Sequence, residues 1–375
     1  MKKLLLVLFV IALPGLKGPA YILAAQQRST ITHVLFVTMD GMRWQELFGG
    51  MAPELLTKKE GGVSDLAPME RRFGGATPEA RRAKLMPFFW TEVAAKGQVF
   101  GDASRGSTAR VTNGLRFSYP GYNEMLAGFA DPRIDSNNRN WNPNVTVLEW
   151  LNGRPGFTGK VAAFASWELL PWILNTQRSH LPANGDGPPI DNPISERERT
   201  INDFSQDLPP YWGETRADAP TGFGALEYLK RHQPRVLYVM LGETDEWAHG
   251  RRYDLYLDSA WRNDRFVKRL WETAQTLPGY GGHTALVLAT DHGRGSTGEN
   301  WTSHGRDVPE AERIWMAVMG PGVAPLGVRS DINVTQSQIA ATIAMLLGED
   351  YNAAQPKAAP PLPLTIRPES LRDNR

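Results

Sequence analysis

Several short runs in this chain are apolar at almost every position, and three of them lead directly into acidic residues and histidine. Residues 33–40, 235–241 and 283–291 have this pattern. A run of this length without polar alternation indicates a β-strand that is buried on both faces. Such strands occur in parallel sheets whose two faces are covered by helices. The chain is therefore expected to contain a buried, largely parallel sheet.

The remaining segments complete an alternation of strands and helices. Further strands are predicted at residues 160–166 and 314–319, and helices at residues 87–96, 145–151, 222–232 and 336–347. A long helix is also predicted after residue 249, because apolar residues from Trp261 to Ala274 recur at helical spacing. This order predicts an α/β fold in which a largely parallel central sheet is flanked by helices on both faces. Two stretches, residues 49–84 and 167–221, are too long for plain connections. We interpret them as long insertions at the ligand-facing edge of the sheet.

The composition excludes several classes of protein. The 375 residues include no cysteine, which excludes a disulfide scaffold, a thiolate metal site and a cysteine nucleophile. The 41 Lys and Arg balance 40 Asp and Glu without a basic tract, so binding to a nucleic-acid polymer is not expected.

The first residues have the pattern of an export signal. Met-Lys-Lys is followed by ten apolar residues, 4–13, which is typical of a secretory signal peptide and too short for a spanning helix. Cleavage is predicted after Ala20 or near Ala25, and a retained N-terminal anchor is the alternative. The mature protein is predicted to be exported, to the periplasm or the medium, without a membrane span.

Polar side chains follow three of the predicted strands, and their chemistry is similar. They are Asp40, Asp245 with His249, Asp291 with His292 and, from a later loop, His304. Ligand sites of parallel α/β sheets lie at the carboxyl ends of the strands, so these groups are expected to converge. Carboxylates and imidazoles without thiolates suit a divalent ion such as zinc, and six donors exceed one tetrahedral shell. The sequence therefore predicts two divalent metal ions, most simply zinc; the alternative is that each Asp caps a helix and each His is structural.

A candidate nucleophile lies in the segment around Ser118. Ser118 precedes a Tyr-Pro-Gly turn and a short predicted helix at residues 122–127, which would place its hydroxyl near backbone N–H donors suited to an anion. A serine hydroxyl is a weak nucleophile that a divalent cation can activate. The alternative is that Ser118 merely caps that helix.

Taken in order, these motifs resemble those of the alkaline phosphatase superfamily, in particular its nucleotide pyrophosphatase/phosphodiesterase-like branch. The resemblance extends from Val34 to about Leu347. The matching elements are Asp40-Gly41-Met42-Arg43, Ser118-Tyr119-Pro120 with Gly128 ten residues after the serine, Asp245 with His249, Asp291-His292-Gly293, and His304. The resemblance implies a two-metal hydrolase of phosphoric monoesters or diesters that works through Ser118 and a phosphoseryl intermediate. It also implies that one ion is held by Asp245, His249 and His304 and the other by Asp40, Asp291 and His292.

The chain also departs from the pattern of that branch. Gly121 stands where the branch usually has Asn, and the Asn that binds the transferring oxygens has only an approximate match, for which we favour Asn137. Sulfatases of the superfamily need Cys or Ser followed four residues later by Arg. Position 122 is Tyr here, so sulfatase chemistry is disfavoured.

The predicted organisation is a signal peptide at residues 1–25, an alkaline phosphatase-like catalytic domain at 26–351 and a Pro-rich C-terminal tail at 352–375. Arg116, two residues before Ser118, is a candidate clamp for a monoester dianion, and an ordinary surface arginine is the alternative. Two other functions remain open: a non-catalytic protein that binds metal or phosphate with this fold, and a phosphotransferase or mutase of the same superfamily. The predicted partner is a small phosphate ester.

Overall fold

The computed structural model describes residues 30–367. Its centre is an eight-stranded sheet with the spatial order β10-β2-β9-β7-β1-β6-β4-β5, and a three-stranded sheet, β11-β3-β8, lies beside it. The strands are β1 (His33–Met39), β2 (Gln98–Phe100), β3 (Thr108–Arg110), β4 (Val161–Ala165), β5 (Ala183–Asn184), β6 (Val236–Leu241), β7 (Thr284–Ala289), β8 (Arg313–Ile314), β9 (Met316–Met319), β10 (Gly327–Val328) and β11 (Asn333–Thr335). In the eight-stranded sheet the five neighbours from β7 to β5 run parallel, and only β9 pairs antiparallel to its two neighbours. The predicted α/β class with a largely parallel sheet is confirmed.

Fourteen α-helices connect these strands within the described residues. They are α1 (Trp44–Gly49), α2 (Leu66–Phe73), α3 (Pro78–Leu85), α4 (Ala94–Lys96), α5 (Ser118–Ala127), α6 (Val147–Asn152), α7 (Leu170–Ile173), α8 (Thr176–Ser179), α9 (Glu196–Asp207), α10 (Asp218–His232), α11 (Glu243–His249), α12 (Tyr253–Thr276), α13 (Gln338–Leu346) and α14 (Tyr351–Ala354). A π-helical turn, Phe89–Val93, precedes α4, so the predicted helix at 87–96 is present with a widened middle.

The sheet separates two hydrophobic cores, which explains why its central strands are almost entirely apolar. Alternate residues of a strand point to opposite faces. In β1, Val34 and Phe36 pack with α5, α6 and α13, whereas Leu35 and Val37 pack with α1, α10 and α12. Because both faces are covered, a polar group inside a central strand needs a partner there, and the buried hydroxyls of Thr38 in β1 and Tyr238 in β6 lie within hydrogen-bond distance of each other at 3.0 Å.

The run at residues 314–319, predicted as one strand, is two strands in different sheets. β8 pairs with β3, whereas β9 pairs with β2 and β7, and Trp315 separates them. The Trp315 indole is completely buried and donates a hydrogen bond to the carbonyl oxygen of Met42 at 3.0 Å. This ring anchors the point at which the chain leaves one sheet for the other.

Both predicted insertions contain secondary structure of their own. The first includes α2 and α3, and the second includes α7, α8, β5, α9 and the start of α10. The described part of the Pro-rich tail packs on the domain, because Leu362 is 3% exposed and the Ala359 N–H donates to the carbonyl of Gly128 at 2.8 Å. The division between domain and tail stays a prediction.

The predicted signal peptide, residues 1–25, lies outside the described residues. Among residues 30–367, no helix has the length and hydrophobicity needed to cross a bilayer.

Candidate functional site

The carboxyl ends of β1, β6 and β7 bring the predicted polar groups together. β1 pairs in parallel with both β6 and β7, so the three strands end side by side. Asp40 directly follows β1, and its backbone carbonyl accepts a 2.6 Å hydrogen bond from the Thr244 hydroxyl at the start of α11. The Gly41 N–H donates to Oδ1 of Asp291, beyond the end of β7, at 3.0 Å. Backbone contacts thus fix these strand ends to one another.

One group of donors forms where α11 meets the loop that carries His304. Asp245 and His249 are four residues apart on α11 and share a face, with 3.2 Å between Oδ2 and Nε2. The Nε2 atoms of His249 and His304 are 3.0 Å apart. Nδ1 of His304 lies 3.2 Å from the carbonyl oxygen of Arg116 and must donate to it, which leaves the Nε2 lone pair free.

A second group surrounds the fully buried ring of His292. Its Nε2 atom lies 3.4 Å from Oδ1 of Asp40 and 3.5 Å from Oδ2 of Asp291. It is also 3.6 Å from Oδ1 of Asp245, so His292 stands between the two groups. Its Nδ1 atom donates to the carbonyl of Gly293 at 3.0 Å, which again leaves Nε2 as a lone pair.

These separations fit divalent metal ions. A tetrahedral zinc ion with bonds of about 2.0–2.2 Å separates its donor atoms by about 3.3 Å. The pairs above span 3.0–3.6 Å. Two sets of candidate ligands result, Asp40 with Asp291 and His292, and Asp245 with His292 and His304. Oδ1 of Asp40 and Oδ2 of Asp291 are buried without a hydrogen-bond partner, and a cation would satisfy both oxygens.

The charges of the site also favour a bound cation. Burial, aided by the nearby Asp245 carboxylate, raises the pKa of Asp40 well above its usual range, and burial with the charge of Asp40 does the same to the pKa of Asp291. Burial also acts to raise the pKa of Asp245, but the Arg294 guanidinium and the adjacent imidazoles outweigh it and hold that pKa well below its usual range. Burial lowers the pKa of His304 to about 2. Crowded, buried carboxylates are the environment that a bound cation relieves.

Ser118 lies next to these ligands. Its hydroxyl oxygen is 3.4 Å from Nε2 of His292, and the residue is 6% exposed. Ser118 is the first residue of α5, which therefore begins four residues earlier than predicted. The N-cap position belongs to Phe117, and no side chain caps the helix there. The alternative role of Ser118 as a helix cap is therefore wrong.

Asn137 lies beside the same helix end. Its Oδ1 atom accepts a 3.0 Å hydrogen bond from the N–H of Tyr119, the residue after Ser118, and the residue is exposed. The segment around Asn137 thus runs past the N-terminus of α5. The substrate-binding role of Asn137 stays a prediction.

Arg116 does not turn toward Ser118. Its Nη1 atom donates to the carbonyl oxygens of Arg306 and Val308, each at 3.1 Å, and lies 3.3 Å from the Glu312 carboxylate. The guanidinium is bound to the loop that follows His304, so the predicted clamp is not formed.

Two residues that the sequence analysis missed contact the metal-ligand candidates. The Tyr122 hydroxyl, one helical turn after Ser118, donates to Oδ2 of Asp40 at 2.8 Å. Arg294 is 1% exposed and donates to Oδ1 of Asp245. The signal for Tyr122 was its spacing of four residues from Ser118, whereas Arg294 and Asp245 are 49 residues apart and no local pattern links them.

Comparisons with known proteins identify the fold. No protein-family model and no curated protein matches the sequence. The fold matches that of the lipoteichoic acid synthase LtaP from Listeria monocytogenes with a TM-score of 0.55 at 10% identity, over 86% of this chain and 73% of that one. The alkaline phosphatase PafA matches with a TM-score of 0.53 at 12% identity, over 85% and 96% of the two chains. The murine ectonucleotide pyrophosphatase/phosphodiesterase 5 matches with 0.50 at 12% identity, over 88% and 97%. This chain therefore has the fold of the alkaline phosphatase superfamily, as its motifs predicted.

Proposed function

We propose that this protein is an exported hydrolase of phosphoric esters that depends on two divalent metal ions, most simply zinc, and uses Ser118 as its nucleophile. The observation that carries the proposal is the position of the Ser118 hydroxyl, 3.4 Å from His292 and beside two groups of candidate metal ligands. Asp40, Asp291 and His292 would hold one ion, and Asp245, His249 and His304 the other. Bound divalent ions would acidify the serine hydroxyl and neutralise the charge on the phosphoryl oxygens.

The reaction then follows from the position of the serine. Oγ of Ser118 attacks phosphorus, a Ser118 O–P bond forms, and the ester bond breaks as the alcohol leaves with a proton. Water next hydrolyses the phosphoserine, which releases phosphate or a phosphate monoester and restores the hydroxyl. The N-terminus of α5 contributes the positive end of a ten-residue helix next to the transferring group. Asn137, beside that helix end, is the proposed ligand of a phosphoryl oxygen.

The test compares wild type with Ser118→Ala after zinc loading, with Ser330→Ala as the matched control at an exposed position. Substrates are a nitrophenyl phosphate monoester, a bis-nitrophenyl diester, a nitrophenyl phosphonate ester and a nitrophenyl sulfate. We expect wild type and Ser330→Ala to hydrolyse at least one phosphate ester, and Ser118→Ala to lose about three orders of magnitude or more in kcat. Zinc content, measured by elemental analysis, should be unchanged. Equal rates for Ser118→Ala and wild type, or hydrolysis of the sulfate alone, would contradict the proposal.

Export is part of the same proposal and rests on the sequence of residues 1–25. Expression of the full chain in a bacterial host should give a protein of the periplasm or medium whose N-terminus follows Ala20 or lies near Ala25. Intact-mass measurement of the exported protein checks this, and an uncleaved cytoplasmic product would contradict it.

A further inference from the structure

A buried carboxylate organises the turn that leads to the nucleophile. Glu124, on α5, is completely buried and accepts hydrogen bonds from five donors at 2.8–2.9 Å. Four of these donors belong to Thr112 and Asn113, and the fifth is the Ser337 hydroxyl. No Lys or Arg of residues 30–367 forms an ion pair with Glu124. The residues just before α5 are therefore tied to the middle of the same helix by hydrogen bonds rather than by a charge pair.

The side chain of Asn113 links Glu124 to the backbone of the residues that precede Ser118. Its Nδ2 atom donates to Glu124, and its Oδ1 atom accepts from the N–H groups of Leu115 and Arg116 at 2.9 and 2.8 Å. Arg116 has a φ of +58°, in the left-handed region that residues other than Gly rarely adopt. Asn113 thus holds Arg116 in a conformation that its backbone does not favour.

This conformation directs Arg116 toward the loop that carries His304. The Arg116 carbonyl accepts the Nδ1–H of His304 at 3.2 Å, and its guanidinium donates to two carbonyl oxygens of residues 306–308. A ligating histidine is commonly oriented by donating its other N–H to a carbonyl, and the loss of such a partner typically weakens metal binding. The turn therefore fixes which nitrogen of His304 is free and where that nitrogen points.

We propose that Asn113 is a positioning residue that, through the left-handed backbone of Arg116, holds the Nε2 atom of His304 toward Asp245 and His249. The inference rests on the proposed function, because it concerns His304 as a metal ligand. The same turn leads directly into α5 and Ser118. The nucleophile and one metal-ligand group are thus positioned by a single set of hydrogen bonds that begins at Glu124.

The test measures the zinc affinity of the metal-free protein by competition with a chromogenic chelator, which does not depend on catalysis. We expect Asn113→Ala to bind one zinc equivalent about 10- to 100-fold more weakly than wild type. Asn152→Ala is the matched control, because Oδ1 of Asn152 also accepts a backbone N–H, that of Gly159 at 3.0 Å, away from the site. Asn152→Ala should keep the wild-type affinity. Equal affinities for the two variants would overturn the proposal.

A double-mutant cycle with His304→Ala separates positioning from a general loss of structure. If Asn113 acts through His304, Asn113→Ala should weaken zinc binding no further in the His304→Ala background. Additive losses would overturn the proposal. If Asn113→Ala does not fold, Glu124→Gln replaces it in the same zinc-affinity measurement. Glu124→Gln keeps the shape of the side chain but turns one oxygen that accepts hydrogen bonds into a donor. Failure of wild type to bind zinc would instead refute the proposed function.

Discussion

Substituting alanine for Gly41 would place a methyl group inside the candidate metal site. Gly41 has a φ of +57°, and a Cβ atom there would lie 2.7 Å from Oδ1 of Asp245 and 2.9 Å from Nε of Arg294. Arg294 also donates to the carbonyl oxygens of Thr302 and Asp245, at 2.6 and 3.1 Å. Because these bonds hold the guanidinium, the Asp245 carboxylate is the group that we expect to move.

The expected magnitude has two parts. A residue other than Gly in the left-handed region costs about 1–2 kcal/mol. Forcing an extra carbon into a closely packed site costs about 1–3 kcal/mol more. Gly41→Ala should therefore lower the free energy of unfolding by about 2–5 kcal/mol, and displacement of Asp245 should weaken zinc binding by about tenfold or more.

Gly279→Ala is the matched control for this prediction. Gly279 has a φ of +79°, and a Cβ atom there would meet nothing within 4 Å, so only the backbone cost applies. Urea denaturation gives the two free energies of unfolding, and chelator competition gives the two zinc affinities. Gly279→Ala should lose about 1–2 kcal/mol and bind zinc as wild type does. If both variants have the same zinc affinity, the reasoning about Asp245 and Arg294 is refuted.

Three further predictions concern other side chains. Tyr122→Phe removes the hydroxyl that donates a hydrogen bond to Asp40. This substitution should lower the free energy of unfolding in urea by about 1–3 kcal/mol and weaken zinc binding. An unchanged free energy of unfolding and an unchanged zinc affinity would contradict this prediction. Burial raises the pKa of Asp264 to about 7 from its usual 3.8, so the folded state keeps the proton over a range where the unfolded state has lost it. As pH rises from about 4 to 7, wild type should therefore lose more stability in urea denaturation than Asp264→Asn does; a difference between the two that stays constant with pH would exclude the effect. Burial also raises the pKa of Asp40 and Asp291 in the metal-free protein, so these carboxyls must lose their protons when a metal ion binds. The metal ion should therefore bind more tightly as pH rises, and its removal by a chelator should lower Tm by a larger amount. A decrease in Tm on chelation that does not change with pH would argue against this prediction.

The strand ends of the site could be predicted from the sequence because a strand that is buried on both faces is a nearly continuous run of apolar residues. From Val34 to Met39, β1 carries no charged residue and only Thr38 is polar, so Asp40 marks the edge at which the ligands meet. The same reasoning placed Asp291 and His292 after β7 and Asp245 and His249 after β6, whereas the helix α11 that carries Asp245 and His249 was not predicted. These predictions depend only on local periodicity.

The partners of those ligands could not be read in this way, because they depend on contacts between distant segments. Nothing near Arg294 indicates that its guanidinium binds Asp245, and the side chain of Arg116 is directed by carbonyl oxygens of residues 306–308. The division of residues 314–319 into β8 and β9 was hidden for the same reason, because Trp315 is as apolar as its neighbours.

The residue-for-residue pairing of β1 with both β6 and β7 sets where Asp40 lies relative to the other candidate ligands. Sliding β1 by a single position would carry Asp40 about 3.3 Å along its axis and swing its carboxylate to the opposite side of the sheet. A sheet shifted in this way would lack the Asp40 carboxylate at the candidate centre. A cation that needs this carboxylate as a ligand would bind the aligned sheet more tightly than the shifted one, and its binding would add to the stability of the correct register.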